Sequence, residues 1–318
     1  MNPAPVSPLA VKASGLVKRY GDVLAVDGLD LEIPAGQFFG LLGPNGSGKT
    51  STIHMLATLI RPTSGSASVH GHDVLRESVQ TRASIGLVFQ ESALDRTLSI
   101  AENLRFAGLL YNLPAKVIEE RAAGLLELFG LADKRNRPVG SLSGGMRRAL
   151  DIVRGVIHHP KILFLDEPTI GLDLPNRRKI WRFIENLRAQ TGMTVLLTTH
   201  YLEEADTCDH VAFIKSGKLV QSGSPAEMIA SLGRYIVEIE SPDIETLARR
   251  LAPILGPCLR EGNVAYFRYA ADDVTRLASL QSEAGIQVRA LRWRQPSTAE
   301  GLVSAFQTET LAAARGRI

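Results

Sequence analysis

The sequence predicts an α/β fold in which a sheet of buried strands is interrupted by a helical insertion and followed by a small α+β domain. Three observations predict it. Short apolar runs, namely Phe38-Phe39-Gly40-Leu41-Leu42, Ile85-Gly86-Leu87-Val88-Phe89, Ile162-Leu163-Phe164-Leu165 and Thr194-Val195-Leu196-Leu197-Thr198-Thr199, read as buried strands. Each run ends on residues suited to ligand contact or chemistry: Gly43, Gln90, Asp166-Glu167 and His200. Ligand-contacting residues gather at carboxyl strand ends in such sheets. Beyond residue 231 the pattern changes to β-α-β-α-β and carries no such strand ends.

The 318 residues are enough for one large domain and a small one. Hydrophobic content of 45% with 22% charged residues is ordinary for a soluble globular protein. A net charge of +3 is too small to argue for nucleic acid, and the pI near 8.9 is compatible with a membrane-surface partner. Cys208 and Cys258 fit no C-x-x-C pattern, so two free thiols in a reducing cytosol are expected. The segment Met1-Asn2-Pro3-Ala4-Pro5-Val6-Ser7-Pro8 lacks the basic and apolar regions of a signal peptide; residues 1–10 are expected to form a disordered leader. No apolar run is long enough to span a bilayer, so any service to a membrane would pass through a partner.

In chain order, Val11 to about Ile33 alternates as strands around a turn at Lys18-Arg19-Tyr20-Gly21-Asp22. Tyr20 suits either a half-buried sheet aromatic or a platform for a base. Phe38–Leu42 then leads into Gly43-Pro44-Asn45-Gly46-Ser47-Gly48-Lys49-Thr50, which fits G-x-x-x-x-G-K-[ST]. The glycines admit backbone conformations that a side chain would block. Converging amides then form a nest for phosphate oxygens, Lys49 supplies a mobile cation and the Thr50 hydroxyl suits Mg²⁺. Ser51 to Leu56 reads as the helix that leaves the loop, its positive end facing the phosphates.

Arg61-Pro62-Thr63-Ser64-Gly65 breaks the chain, and Ser66–His70 is a short strand. His70 and His72 have no third ligand nearby and read as surface residues. From Ser99 to about Arg137 the pattern is helical, with Pro114 between two helices. Ser143-Gly144-Gly145 opens a further helix through Ile157; it is a potential anion site, although Ser and Gly are also common caps. Asp166 and Glu167 end a core strand, where adjacent acids need a polar partner. Near a phosphate loop the first acid can hold Mg²⁺ and the second can orient or deprotonate water. His200 ends the next strand and should face the same crevice. Val211–Ile214 and Leu219–Gln221 flank Lys215-Ser216-Gly217-Lys218 as a hairpin, and Gly223-Ser224-Pro225 closes the main domain.

In the remainder, strands are expected at Arg234–Glu240, Val264–Tyr269 and Ile286–Trp293, with helices at Ile244–Leu255 and Asp272–Ala284. This suggests a small open-faced sandwich, ferredoxin-like in order. A last helix runs through Ala305 and Phe306. Arg289, Arg292, Arg294 and Trp293 make a basic strand, better explained as a solvated edge than as a nucleic-acid surface.

The ordered set of a phosphate loop, a strand-end Gln, a Ser-Gly-Gly helix start, an Asp-Glu strand end and a strand-end His resembles the ATP-binding subunit of an ATP-binding-cassette (ABC) transporter, over roughly Val11–Glu227. The resemblance implies a P-loop NTPase (RecA-like) core with an antiparallel β subdomain. It divides the chain into an ATP-binding domain over 11–230, with a helical insertion at about 91–160, and an accessory domain over 231–318. It implies ATP contacts from Tyr20, Gly43, Pro44, Asn45, Gly46, Ser47, Gly48, Lys49, Thr50, Ser51 and Gln90, and Mg²⁺ held by Thr50, Gln90 and Asp166. Leu142-Ser143-Gly144-Gly145-Met146 resembles the ABC signature, with Met146 where Gln is frequent. Asp173 lies in the D-loop, where Leu174 intervenes before Pro175. Glu167, His200 and Lys49 would carry catalysis.

Ser143-Gly144-Gly145-Met146-Arg147-Arg148 and Thr199-His200-Tyr201-Leu202-Glu203-Glu204-Ala205 look like the drug-resistance and nodulation exporters of the ABC-2 class. That implies a second copy paired head to tail, a separate membrane-spanning permease, and a cytoplasmic position on the inner face of the membrane. No nucleic-acid partner is expected. The alternative is a soluble ABC ATPase acting on ribosomes or nucleic acid. Such proteins more often carry two cassettes or a long coiled-coil insertion, and this sequence has neither.

Overall fold

A computed structural model of the chain describes residues 8–230, 235–256, 258–269 and 287–295. The chain divides into two compact units, Met1–Ser222 and Gly223–Ile318. The first contains β1 (Leu9–Tyr20), β2 (Val23–Pro34), β3 (Phe38–Leu42), α1 (Lys49–Leu56), β4 (Ser64–Val69), β5 (His72–Asp73), α2 (Ser78–Ser84), β6 (Ile85–Val88), α3 (Ile100–Leu110), α4 (Ala115–Leu128), α5 (Gly144–Val156), β7 (Ile162–Asp166), α6 (Leu174–Thr191), β8 (Thr194–Thr199), β9 (His210–Lys215) and β10 (Lys218–Gly223).

The central sheet has the order β10-β9-β3-β8-β7-β6. Strands β6, β7, β8, β3 and β9 pair in parallel, so their carboxyl ends share one edge. Every residue of β3, β7 and β8 is buried, which explains the continuous apolar runs. A second sheet, β2-β1-β4-β5, is antiparallel. One hydrophobic cluster joins the two sheets: Leu16, Ile33 and Val69 of the second pack with Leu41, Phe164 and Leu196 of the first. Burial of the large apolar side chains there stabilises the unit by about 2 kcal/mol each. The turn between β1 and β2 is only Gly21-Asp22, so Tyr20 belongs to the strand rather than to the turn.

Helices α3 and α4 pack on each other and on α5. Helix α5 in turn packs on β6, where Gly86 faces the Gly155 carbonyl; a Cβ on Gly86 would lie 2.3 Å from that oxygen. Helix α6 has no counterpart in the sequence expectations. Its buried Ile180, Trp181, Ile184 and Leu187 nevertheless follow helical spacing, and Asp173 caps it by accepting from the Asn176 amide at 2.9 Å. Leu174 occupies the first helical position and Pro175 the second, which accommodates the extra residue before the proline. The β9–β10 turn is Ser216-Gly217, both at positive φ as a tight hairpin requires.

The second unit holds α7 (Pro225–Ala230), β11 (Tyr235–Glu240), α8 (Ile244–Leu255), β12 (Cys258–Glu261), β13 (Val264–Tyr269) and β14 (Ala290–Arg294). Its sheet is antiparallel, in the order β12-β13-β11-β14, around Val237, Ile239, Leu247, Leu251 and Phe267. Strand β12 was absent from the sequence expectations. The expected helices at 272–284 and around Ala305-Phe306, and residues 1–7 of the leader, lie outside the described residues. Strand β14 is a sheet edge, and Glu238 and Glu240 of β11 pair with its basic side: Arg294 Nε lies 2.8 Å from Glu238, and Arg289 approaches Glu240 at 3.9 Å. Cys208 is buried and Cys258 partly buried, both as free thiols; burial raises both their pKa values and makes them poor nucleophiles. Among the described residues no helix is long and apolar enough to cross a membrane.

Candidate active site

The site forms where the carboxyl ends of β3, β8, β7 and β6 meet. Leu42 pairs with Thr199 and Asp166 with Thr198, so three strands release their functional residues at one level. Strand β3 feeds the glycine loop directly. A Cβ at Gly43 would lie 2.2 Å from the Ile214 carbonyl, and one at Gly48 would lie 2.3 Å from that of Ala25. Gly46 and Gly48 have φ of +77° and +106°, conformations that L side chains rarely adopt. The loop is also tied to the β9–β10 turn, because the Gly217 amide donates to the Ser47 carbonyl at 3.0 Å. Ser47 Oγ is buried and has no hydrogen-bond partner. A cradle of close-fitting glycines, an orphaned hydroxyl and the amide-bearing start of α1 fits a phosphate group.

Lys49 folds back over this cradle. Its Nζ donates to the carbonyls of Gly43 (2.9 Å) and Pro44 (3.0 Å) and lies 3.6 Å from Glu167 Oε1. Burial lowers its pKa, opposed by the charges of Glu167 and Asp166. The Thr50 hydroxyl donates to Asp166 Oδ1 at 3.2 Å, and the Thr198 hydroxyl donates to the same oxygen at 2.6 Å. His54 Nε2 stands 4.0 Å from Asp166 Oδ2. Thr50 and Asp166 thus offer paired hard oxygens suited to Mg²⁺. Among the described residues no group of three or more His, Cys, Asp or Glu could hold a metal. A cation that keeps waters and phosphate oxygens as its remaining ligands fits this sparse donor set.

Glu167 is buried, with φ of +46°. Its amide donates to the carbonyl and the hydroxyl of Thr198, both at 3.1 Å. Its Oε2 lies 3.2 Å from His200 Nδ1, in contact but not aligned for a hydrogen bond. The His200 ring is backed by Tyr201, ring centroids 4.1 Å apart, and the Arg177 guanidinium sits 3.8 Å over the Tyr201 ring. Arg177 Nε also donates to the Leu172 carbonyl at 2.9 Å, joining this stack to the start of α6.

The structure therefore brings together Lys49, Thr50, Asp166, Glu167 and His200. Tyr20 lies at the edge of this group: it is exposed, with its hydroxyl 3.5 Å from Ser51 Oγ. Gln90 is exposed in the bend after β6. Ser143 caps α5, accepting from the Met146 amide at 3.3 Å. Among the described residues no hydrogen bond or ion pair joins Leu142, Ser143, Gly144, Gly145 or Met146 to the glycine loop. Sequence reasoning missed Thr198, His54, Arg148, Arg177 and Glu204. The first two lie beside motif residues and share their strand or helix. Arg148 and Glu204 are buried polar groups whose partners lie far along the chain. The Thr169 hydroxyl donates to the Glu204 carboxyl, and burial raises that carboxyl's pKa.

Residues 26–170 match the family model described as ABC transporter. The chain is 42% identical over 300 residues to the daunorubicin/doxorubicin resistance ATP-binding protein of Streptomyces peucetius, covering 92% of this chain and 90% of the relative. It is 40% identical over 275 residues to the Nod factor export ATP-binding protein I of Ralstonia nicotianae, covering 86% and 85%. Among solved structures it is similar to cbiO1 of Clostridium perfringens, part of an ABC transporter complex, with a TM-score of 0.65 and 26% identity over 78% of this chain and 96% of that one. It is also similar to a dimeric ATP-binding cassette in a post-hydrolysis state bound to ADP and Pi, with a TM-score of 0.62 and 26% identity over 67% and 98%. Shared over nine-tenths of its length with proteins of this kind, the chain belongs to the ATP-binding proteins of ABC transporters and is an ATPase.

Proposed function

We propose that this chain is the ATP-hydrolysing subunit of an ABC-2 type exporter. It would work as a head-to-tail pair beneath a separate membrane-spanning subunit, on the cytoplasmic face. The observation that carries the chemical reading is Glu167, a buried carboxylate 3.6 Å from Lys49 Nζ and 3.2 Å from His200 Nδ1. A base at the edge of a phosphate cradle, between a cation and an imidazole, suits proton removal from a water attacking phosphorus.

The loop amides and Ser47 would hold the phosphate chain, with Tyr20 against the base. Lys49 would leave the Gly43 and Pro44 carbonyls for the β- and γ-phosphates, since its ammonium swings on a flexible stem. Glu167 would orient the water and accept its proton. Lys49 and His200 would stabilise charge gathering on the phosphoryl oxygens. Thr50 and Asp166, with Gln90, would hold Mg²⁺, which supplies Lewis-acid neutralisation of the phosphates when bound.

The reading of a second copy is supported by Ser143-Gly144-Gly145, where Ser143 and Gly144 are exposed and, among the described residues, no hydrogen bond links the segment to its own loop. The segment's amides would cap the γ-phosphate held by the other copy, and Asp173 would lie at the same interface. Support for the membrane partner comes from α3, where Phe106, Leu109 and Leu110 are exposed on one face. The relatives' names, Nod factor export and drug resistance, support export as the direction.

Replacing Glu167 with Gln tests the chemistry, because the amide keeps the shape but cannot accept the proton. Hydrolysis should fall at least ~100-fold while ATP binding and ATP-driven pairing persist. Wild-type turnover in that variant would exclude Glu167 as the base.

A further inference from the structure

Arg148 lies on α5, five residues after Ser143, and is 7% exposed. Among the described residues its guanidinium meets no carboxylate at hydrogen-bond distance, although the charges of Asp151 and Asp166 act on it. It is spent on backbone carbonyls instead. Nε donates to Pro168 (2.5 Å), Nη1 to Phe89 (2.5 Å), and Nη2 to Asp166 (3.2 Å) and Glu167 (3.1 Å). Four acceptors on two strand ends use the planar donor fork that only arginine has. Burying such a charge is costly, and an apolar side chain would fill the same place at less expense. The arrangement therefore has to be explained by what it holds.

What it holds is strained backbone. Glu167 sits at φ +46°, a left-handed conformation that disfavours a residue with a Cβ by roughly 1–2 kcal/mol. Such conformations persist where the surroundings over-determine them. Here Thr198 fixes the Glu167 amide, and Arg148 fixes the carbonyls of Asp166, Glu167 and Pro168. The fourth carbonyl, Phe89, is on the residue before Gln90.

We propose that Arg148 is a positioning residue for hydrolysis: it sets the backbone that aims the Glu167 carboxylate, and it makes that aim answer to α5 and to the Gln90 bend. The inference rests on the reading of Glu167 as the base. In the head-to-tail pair α5 begins with the segment that meets the other copy's nucleotide. Arg148 then links the engagement of one site to the readiness of the other.

The test is a double-mutant cycle on the full chain. Arg148→Met and Arg148→Lys are each made in the wild type and in Glu167→Gln, with ATP affinity and single-turnover hydrolysis measured for all. Acting through Glu167, Arg148→Met should lower kcat about 100-fold with ATP affinity within about 3-fold, and should lower the residual Glu167→Gln rate by less than about 3-fold. Arg148→Lys, which keeps the charge but not the fork, should lower kcat by about 10-fold or more and show the same non-additivity. It carries the test alone if Arg148→Met does not fold. An unchanged kcat, a matching loss of ATP affinity, or equal losses in both backgrounds would overturn the proposal. A wild type whose hydrolysis is indifferent to Glu167→Gln would overturn the underlying reading of the base, and is seen before Arg148 is altered.

Discussion

Two glycine-rich helix starts can be compared within the first unit. Gly48 opens α1 and Ser143 opens α5. At α1 the start is buried: Ser47 and Lys49 are 2% and 4% exposed, and Asp166 and Glu167 stand beside them. Gly48 has no side-chain cap and a φ that only glycine tolerates well. At α5 the start is exposed, Ser143 supplies the cap, and no acid stands against it among the described contacts. Both ends favour anions through the helix dipole and free amides. The first is furnished with the cation and carboxylates needed to act on a phosphate. The second offers amides only. The difference teaches that two helix starts of similar composition are furnished differently, and it fits the proposal that the exposed one serves a second copy.

The largest way to break the comparison is to remove the cation. Lys49→Ala should abolish hydrolysis, by about 1,000-fold or more, and weaken ATP binding measurably by fluorescence titration. Unchanged affinity would contradict the role of the loop. Placing Arg at Ser143 should lower hydrolysis about 100-fold while the affinity of the monomer for ATP stays within about 2-fold, since the residue touches nothing in its own loop. A fall in monomer affinity would show that both starts serve one site in the same copy.

Stability distinguishes them as well. Gly48→Ala places a Cβ 2.3 Å from the Ala25 carbonyl at φ +106°, so thermal unfolding should reveal a loss of about 2 kcal/mol or more. Gly144→Ala meets nothing within 4 Å, and its effect on stability should stay within about 0.5 kcal/mol. Between these two lies the loss of a cap: Asp173→Ala should destabilise by about 1 kcal/mol, read from denaturant midpoints, because the Asn176 amide loses its acceptor.

The crevice was legible in the sequence because each of its parts announces itself locally. A buried strand is a continuous apolar run, and Gly43–Thr50, Asp166-Glu167 and His200 interrupt such runs with residues that have no packing reason to be there. The strand order was not legible, since β3 lies between β8 and β9 through contacts far apart in the chain. Helix α6 carries readable signals, an Asp173 cap and a 180-181-184-187 apolar set, which its many polar and charged residues mask. Strand β12 was missed in the same way, although Gly262-Asn263 between Glu261 and Val264 is a hairpin turn. Arg148 could not be read at all: its partners are backbone carbonyls, which leave no mark on the residues that carry them.

The claim that each site takes its halves from two copies is tested most directly by mixing two inactive variants. Lys49→Ala spoils the loop and leaves the signature; an Arg at Ser143 spoils the signature and leaves the loop. Neither alone should hydrolyse ATP appreciably. In a mixed pair, one of the two sites combines the intact loop of one copy with the intact signature of the other. Random exchange should therefore restore about a quarter of the wild-type rate. A mixture that stays as inactive as its two components would contradict the account.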